Sequence, residues 1–237
     1  MNPRYAIYFV PAPDSTLYRF GAAALGYDGY TENDVDFPGP LPMEDAAWRD
    51  LTREPRRYGF HATLKAPFHL AQDADEPALI DALQAFCRSI EFVPAFAPIV
   101  AALAGFIAIV PAAADPVIDR LAAACVTAFD RFRAPLSAQD RERRVVGLTA
   151  RQAANLDRWG YPFVFDDFRL HLTLTGRLAA DRHAVVLAYL RDRLVAVWGR
   201  GLVPIDRIAL VRQDRPDARF LVICHAATGA ARQHANS

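Results

Sequence analysis

One order of segments occurs twice along this chain and restricts its fold more than any other feature. Residues 58–70 have the alternation of a strand, and a helical stretch and an apolar strand pair follow, completing a unit over roughly 58–113. Residues 167–176 begin the same order again, and this second unit runs to about residue 226. A repeat of this length indicates two related units. The mixture of strands and helices predicts an α+β fold.

Each repeated strand contains the same short string of a histidine, any residue, a threonine and a leucine. The two copies are His61-Ala62-Thr63-Leu64 and His171-Leu172-Thr173-Leu174. Side chains two positions apart on a strand point to one face, so we expect His61, Thr63 and Lys65 to share a face. By the same rule, His171 shares a face with Thr173. Polar groups in the middle of a sheet are costly unless they are used or paired, so two matching strings favour a functional cleft.

The paired strings resemble those of the 2H phosphoesterase superfamily, whose members carry one such string in each of two pseudo-symmetric lobes. The stretch over 57–68 is similar to a branch whose genes often accompany phosphonate-utilisation operons. The resemblance covers roughly residues 4–226. It implies a single bilobal domain over 1–227 with the fold of RNA ligase-like cyclic phosphodiesterases, an antiparallel sheet flanked by helices in each lobe, and a central cleft. Residues 228–237 are expected to form a flexible tail.

The resemblance implies a phosphoesterase that opens a small cyclic phosphodiester without a metal ion or any other cofactor. His61 and His171 would be the catalytic residues, because the pKa of histidine suits both the general acid and the general base. Thr63 and Thr173 would donate hydrogen bonds to the non-bridging phosphate oxygens. The sequence leaves open which histidine is the base. The implied enzyme is a hydrolase acting on a ribose or nucleotide cyclic phosphate, with a link to phosphonate metabolism.

Three further side chains are candidates for phosphate or substrate binding. Lys65 is the only lysine among 27 basic residues and follows the first string, although a surface lysine at a strand end would look the same. Arg169 precedes His171 at the same strand parity, and Tyr58 lies at the start of the first strand. The segment 131–151 has six arginines against two acids, which fits either a flap that attracts an anion or a solvated helix face.

Two alternative functions stay open at this point. One is an RNA 2′,3′-cyclic phosphodiesterase, and the other is a non-catalytic protein that binds phosphorylated nucleotides. The 27 basic and 27 acidic side chains give a formal net charge of zero. Because contacts along a nucleic-acid backbone need several lysines or arginines, we expect no extended nucleic-acid partner. We expect the small phosphate substrate as the partner and favour a monomer.

The cysteines and one long uncharged stretch bear on the compartment and the membrane. Cys87, Cys125 and Cys224 form no Cys-x-x-Cys pair, so we expect neither a zinc site nor a disulfide framework. The stretch 92–114 is long enough to cross a bilayer, but prolines and a glycine interrupt it. We predict two buried strands there, with a turn near 104–105. The expectation is a cytoplasmic protein without membrane contact.

Overall fold

The computed structural model describes residues 2–91 and 93–228, and over these it has nine strands and eight α-helices. The strands are β1 (Arg4–Phe9), β2 (Ala62–His69), β3 (Ala95–Phe96), β4 (Pro98–Leu103), β5 (Phe106–Pro111), β6 (Leu172–Thr173), β7 (Val203–Pro204), β8 (Arg207–Gln213) and β9 (Leu221–Ala227). The helices are α1 (Thr16–Leu25), α2 (Asp45–Leu51), α3 (Arg53–Arg56), α4 (Glu76–Ser89), α5 (Pro116–Ala128), α6 (Ala138–Arg144), α7 (Ala150–Trp159) and α8 (Ala180–Trp198). The predicted α+β class is confirmed.

Seven strands form one antiparallel sheet in the order β4-β5-β6-β2-β1-β8-β9, and β3 pairs separately with β7. The strands that follow the two histidines, β2 and β6, are neighbours near the centre and are joined through Ala62 and Leu172. Hairpin β4–β5 of the first predicted unit pairs with β6 of the second unit. Hairpin β8–β9 of the second unit pairs with β1, beside β2 of the first. The two units therefore interleave in one sheet, where the sequence predicted a sheet for each.

Strands β2 and β6 are both shorter than the predicted strands 58–70 and 167–176, and His61 and His171 lie immediately before them. β2 begins only after Gly59, whose φ of 71° interrupts the extended backbone. β6 ends just before Leu174 and Thr175, whose two N–H groups both donate to the carbonyl of Ile107. Two donors on one acceptor break the regular ladder. Local backbone geometry at these two places, rather than side-chain alternation, sets the strand ends.

Within the uncharged stretch, β4 and β5 form the predicted pair of strands. The prediction that both are buried is wrong for β4, which lies at the edge of the sheet and buries only Val100, whereas β5 buries three consecutive residues. β4 and β5 are joined by a two-residue turn at Ala104 and Gly105, with φ values of 49° and 91°. Positive φ at both turn positions matches the twist of a tight hairpin. Over the described residues, no helix is both long enough and apolar enough to cross a membrane.

The helices that cover the sheet bury its core. α5 packs on β2, α4 packs on β8 and β9, and α8 packs beside β4. Thr228, where the tail was predicted to begin, is buried, and its N–H and hydroxyl both donate to the carbonyl of Asp206, at 2.9 and 3.1 Å. The predicted tail therefore does not begin at 228, and residues 229–237 lie outside the described part of the chain.

Candidate functional site

The two histidine strings meet at one cleft. His61 and His171 immediately precede β2 and β6, the neighbouring central strands. Both histidines, together with Thr63 and Thr173, line a single cavity of about 560 Å³. That volume falls within the range of about 300–1,000 Å³ that is typical of small-molecule sites. The structure thus brings together these four residues that the sequence singled out.

Each imidazole is held by the same local contact. Nδ1 of His61 lies 2.9 Å from the carbonyl oxygen of Gly59, and Nδ1 of His171 lies 2.8 Å from that of Arg169. A carbonyl oxygen only accepts, so we assign the hydrogen of each neutral ring to Nδ1. This leaves Nε2 as the nitrogen for a ligand. Thr63 Oγ1 lies 3.1 Å from Nε2 of His61 and donates to it.

His61 is the more enclosed of the two rings. It stacks on Tyr8 with the ring centroids 3.7 Å apart and the planes at 18°. Burial lowers the pKa of His61 to about 4; the Gly59 carbonyl opposes this shift, and the nearby charge of His171 adds to it. At pH 7 the ring is therefore neutral, and its Nε2 is an acceptor.

Tyr58 and Arg169, two of the further candidates for phosphate or substrate binding, occupy different positions relative to the cleft. Tyr58 lines the cleft, 6.3 Å from the His61 ring between centroids, and stacks on Phe220. Arg169 is exposed and its guanidinium donates to backbone carbonyls of its own loop. It lines an adjacent, more apolar cavity beside His171. The structure brings Tyr58 to the cleft and places Arg169 at its border.

Lys65 is not brought to the cleft. In the pairing of β1 with β2, Thr63 lies opposite Tyr8, but the register then shifts and Lys65 lies opposite Ile7. Successive residues of β1 point to opposite faces, so this bulge turns Lys65 toward the helices. Its side chain is 3% exposed, and Nζ donates to a carbonyl of α5 and to Asp130, at 3.0 and 3.2 Å. The prediction that Lys65 shares a face with Thr63 is wrong.

Other residues of the cleft were missed by the sequence reasoning. Arg4 and Tyr8 of β1 line it, as does Tyr161 from the loop before β6. Arg4 and Tyr8 are four positions apart on a strand, so the alternation of β1 was a usable signal for both. Burial raises the pKa of Tyr161 and raises that of Tyr8 well above its usual range, so both hydroxyls stay protonated.

The arginines of segment 131–151 fit both of the interpretations that the sequence left open, an anion-attracting flap and a solvated helix face. Arg143 and Arg144 line the cleft. Arg141 and Arg151 are exposed and form ion pairs with aspartates at 2.6 and 2.8 Å. Arg143 pairs with Asp140, so it is Arg144 at the end of α6 that adds positive charge to the cleft.

The cleft offers a small phosphate the hydroxyl of Thr173, the hydroxyl of Thr63 once it turns from Nε2 of His61, and the two Nε2 atoms. An Nε2 donates to a phosphate oxygen when protonated and accepts a proton when neutral, so the pair can both bind a phosphate and move a proton beside it. In residues 2–91 and 93–228, no group of three or more histidine, cysteine, aspartate or glutamate side chains is arranged to hold a metal ion.

Comparison with known proteins gives a family and two relatives. A family described as a protein of unknown function, DUF1045, matches over residues 63–221. The ribose 1,5-bisphosphate phosphokinase PhnN of Janthinobacterium sp. (strain Marseille) is 36% identical over 222 residues, and that of Laribacter hongkongensis (strain HLHK9) is 39% identical over 218 residues. Each match covers 92% of this chain but only 49% and 50% of the relatives. The chain therefore spans about half the length of these curated relatives.

These names overturn the predicted activity. The sequence predicted a hydrolase acting on phosphodiester bonds, with an RNA 2′,3′-cyclic phosphodiesterase as an alternative. Both relatives are named as phosphokinases, which transfer a phosphoryl group to an acceptor and do not open a cyclic ester with water. The prediction of a cyclic phosphodiesterase is therefore wrong.

Proposed function

This chain belongs to the DUF1045 family of proteins of unknown function, and we propose that its two-histidine cleft binds a phosphorylated ribose. The observation that carries the proposal is that both His-x-Thr strings line one cavity. A phosphate there accepts hydrogen bonds from the hydroxyl of Thr173 and from that of Thr63, which turns from Nε2 of His61 to the ligand. The neutral Nε2 of His61 then accepts the hydrogen of a protonated phosphate oxygen, and Nε2 of His171 faces the same phosphate. Ribose is the sugar because both curated relatives are named for ribose 1,5-bisphosphate. The name PhnN also fits the expected link to phosphonate metabolism.

We propose that phosphoryl transfer from a nucleotide belongs to the part of the relatives that this chain does not match. Loops that cradle nucleotide phosphates often read Gly-x-x-x-x-Gly-Lys followed by Ser or Thr. The sequence contains no such string, and its only lysine, Lys65, is buried against Asp130. In this proposal the chain is the ribose-phosphate-binding unit and works alongside a phosphokinase unit.

We further propose that the family shares its fold with the 2H phosphoesterase superfamily. Two observations support this kinship. The strings lie on neighbouring central strands, β2 and β6. Each histidine also directs Nδ1 at the carbonyl two residues before it. The kinship concerns the fold and the placement of the histidines, and the superfamily's activity is not carried over.

Isothermal titration calorimetry of the purified chain with ribose 5-phosphate and with ribose tests the proposed function. We expect ribose 5-phosphate to bind and unphosphorylated ribose not to bind. His171→Ala and Thr173→Val should each weaken binding about tenfold or more, because each removes a hydrogen bond to a charged group. His183→Ala, at the start of α8 and outside the cleft, is the matched control and should bind as the wild type does.

Two results would contradict the proposal. Failure of ribose 5-phosphate to bind, or losses in the two cleft variants no larger than in the control, would remove the binding site. Phosphorylation of ribose 1,5-bisphosphate by this chain alone, with ATP and Mg²⁺, would contradict the assignment of phosphoryl transfer to another unit.

A further inference from the structure

The histidine cleft shares part of its lining with a second cavity of about 490 Å³ that has a basic wall. Among the described residues, six arginines line this second cavity and Asp140 is its one carboxylate. The six are Arg4, Arg57, Arg133, Arg143, Arg144 and Arg215. Arg4, Arg143 and Arg144 also line the histidine cleft, so they form part of a wall that the two cavities share.

Most of these arginines already have a carboxylate partner. Four of the six form ion pairs with carboxylates: Arg57, Arg133, Arg143 and Arg215. Arg4 and Arg144 have no carboxylate partner within residues 2–91 and 93–228. Their partners are neutral, since Arg4 Nε donates to the amide oxygen of Gln213 at 2.8 Å and Arg144 Nη1 donates to a backbone carbonyl at 3.5 Å. Both half-buried guanidinium groups therefore keep their full charge for a ligand.

Arg4 is also held in a fixed position. Gln213 is 1% exposed, and its Nε2 donates to the carbonyl of Ala218 at 2.7 Å, which directs its amide oxygen at Arg4. The Arg4 guanidinium lies 5.5 Å from the centroid of the Phe220 ring. A charge that neutral neighbours hold in place loses little conformational entropy when it binds an anion.

We propose that Arg4 and Arg144 form a second phosphate subsite, so that the ligand class is a bisphosphorylated sugar. One phosphate lies between the two imidazoles, and the other lies at the wall that the two cavities share. A phosphate monoester carries a charge of about −1.5 to −2 near pH 7, and the fork of an arginine matches its oxygens with two parallel hydrogen bonds. This inference rests on the proposed function and adds the ligand's second charged group.

The test compares ribose 1,5-bisphosphate with ribose 5-phosphate by calorimetry. The wild type should prefer the bisphosphate by about tenfold or more, since the second phosphate gains charge-assisted hydrogen bonds. Arg4→Met and Arg144→Met should each reduce that preference about tenfold. Arg4→Lys should restore only part of it, because an ammonium keeps the charge and loses the fork.

Arg141→Met is the matched control. Arg141 lies on the same helix as Arg144, is exposed, pairs with Asp157 and lines neither cavity. Its loss removes the same charge, so it should change the preference by less than about twofold.

Three results would overturn the inference. Equal affinities of the wild type for the two ligands, or effects of Arg4→Met and Arg144→Met no larger than that of Arg141→Met, would exclude the second subsite and leave the proposed function standing. Failure of both ligands to bind the wild type would overturn the proposed function and this inference together. Circular dichroism of each variant verifies that it is folded. Because Arg144 lies at the end of α6, outside the sheet, Arg144→Met still tests the subsite if Arg4→Met in β1 fails to fold.

Discussion

His61, which stacks on Tyr8, is neutral at pH 7 because burial lowers its pKa to about 4. A neutral ring with its hydrogen on Nδ1 can take a proton at Nε2. The consequence extends beyond binding, because a shifted pKa makes the stability of the fold depend on pH.

The pH dependence of unfolding should therefore change when His61 is replaced. Between pH 6.5, its ordinary pKa, and pH 4, the unfolded chain binds a proton that the folded chain does not. The stability that neutral His61 contributes is fully present above pH 6.5 and is lost as the pH falls toward 4. Urea denaturation at about pH 7 and pH 5 should show a smaller loss of unfolding free energy in His61→Gln than in the wild type. Equal losses would contradict the assigned pKa.

Single residues of the cleft could be predicted only where the signal was local. His61 and His171 were found because their string repeats, and each string carried its threonine with it. Lys65 was misplaced because a bulge changes strand parity, and no local pattern in the sequence marks that bulge. Arg144 reaches the cleft from a segment far from both strings. Tertiary packing decides that contact.

At the level of elements, α1 approaches the first histidine string through a glycine. A Cβ on Gly21 would lie 2.2 Å from the ring of Phe60, which is 2% exposed and immediately precedes His61. Real Cβ atoms do not approach so closely, so only glycine allows this helix to pack here. The contact links the packing of α1 to the position of the imidazole.

Gly21→Ala should therefore destabilise the protein although alanine favours helices. Overpacking costs about 1–3 kcal/mol, which outweighs the gain in helix propensity of up to about 1 kcal/mol. Urea denaturation measures the loss. Gly201→Ala, where the nearest atom would lie 3.6 Å away, is the control and should stay within about 0.5 kcal/mol of the wild type. Wild-type stability of Gly21→Ala would show that Phe60 can move aside at no cost.

The elements themselves were predictable to the extent that their signals are short-range. The turn at 104–105 and the strands on either side of it follow from local composition, and the structure confirms them. The ends of β2 and β6 depend instead on Gly59 and on the shared carbonyl of Ile107. These are features of backbone geometry and strand pairing that alternation of side chains does not encode.

At the scale of the molecule, the order of strand, helix and strand pair occurs twice in residues 2–91 and 93–228, but it does not divide the sheet. β6 of the second predicted unit lies between β5 and β2 of the first, so the two histidine strings come together on neighbouring strands. Pairing between distant segments is set by burial and register, which a repeat of local patterns leaves undetermined. The same interleaving places both strings at a single cleft.

In the proposed function, both imidazoles contact one phosphate. The protein is labelled with ¹⁵N at its histidines and titrated with ribose 5-phosphate. Long-range ¹H–¹⁵N NMR then reports each ring nitrogen separately. We expect the signals of Nε2 of His61 and Nε2 of His171 to shift together with one dissociation constant, while those of the His183 and His225 nitrogens stay unchanged. A shift at only one of the two cleft histidines, or two different dissociation constants, would contradict the proposed function.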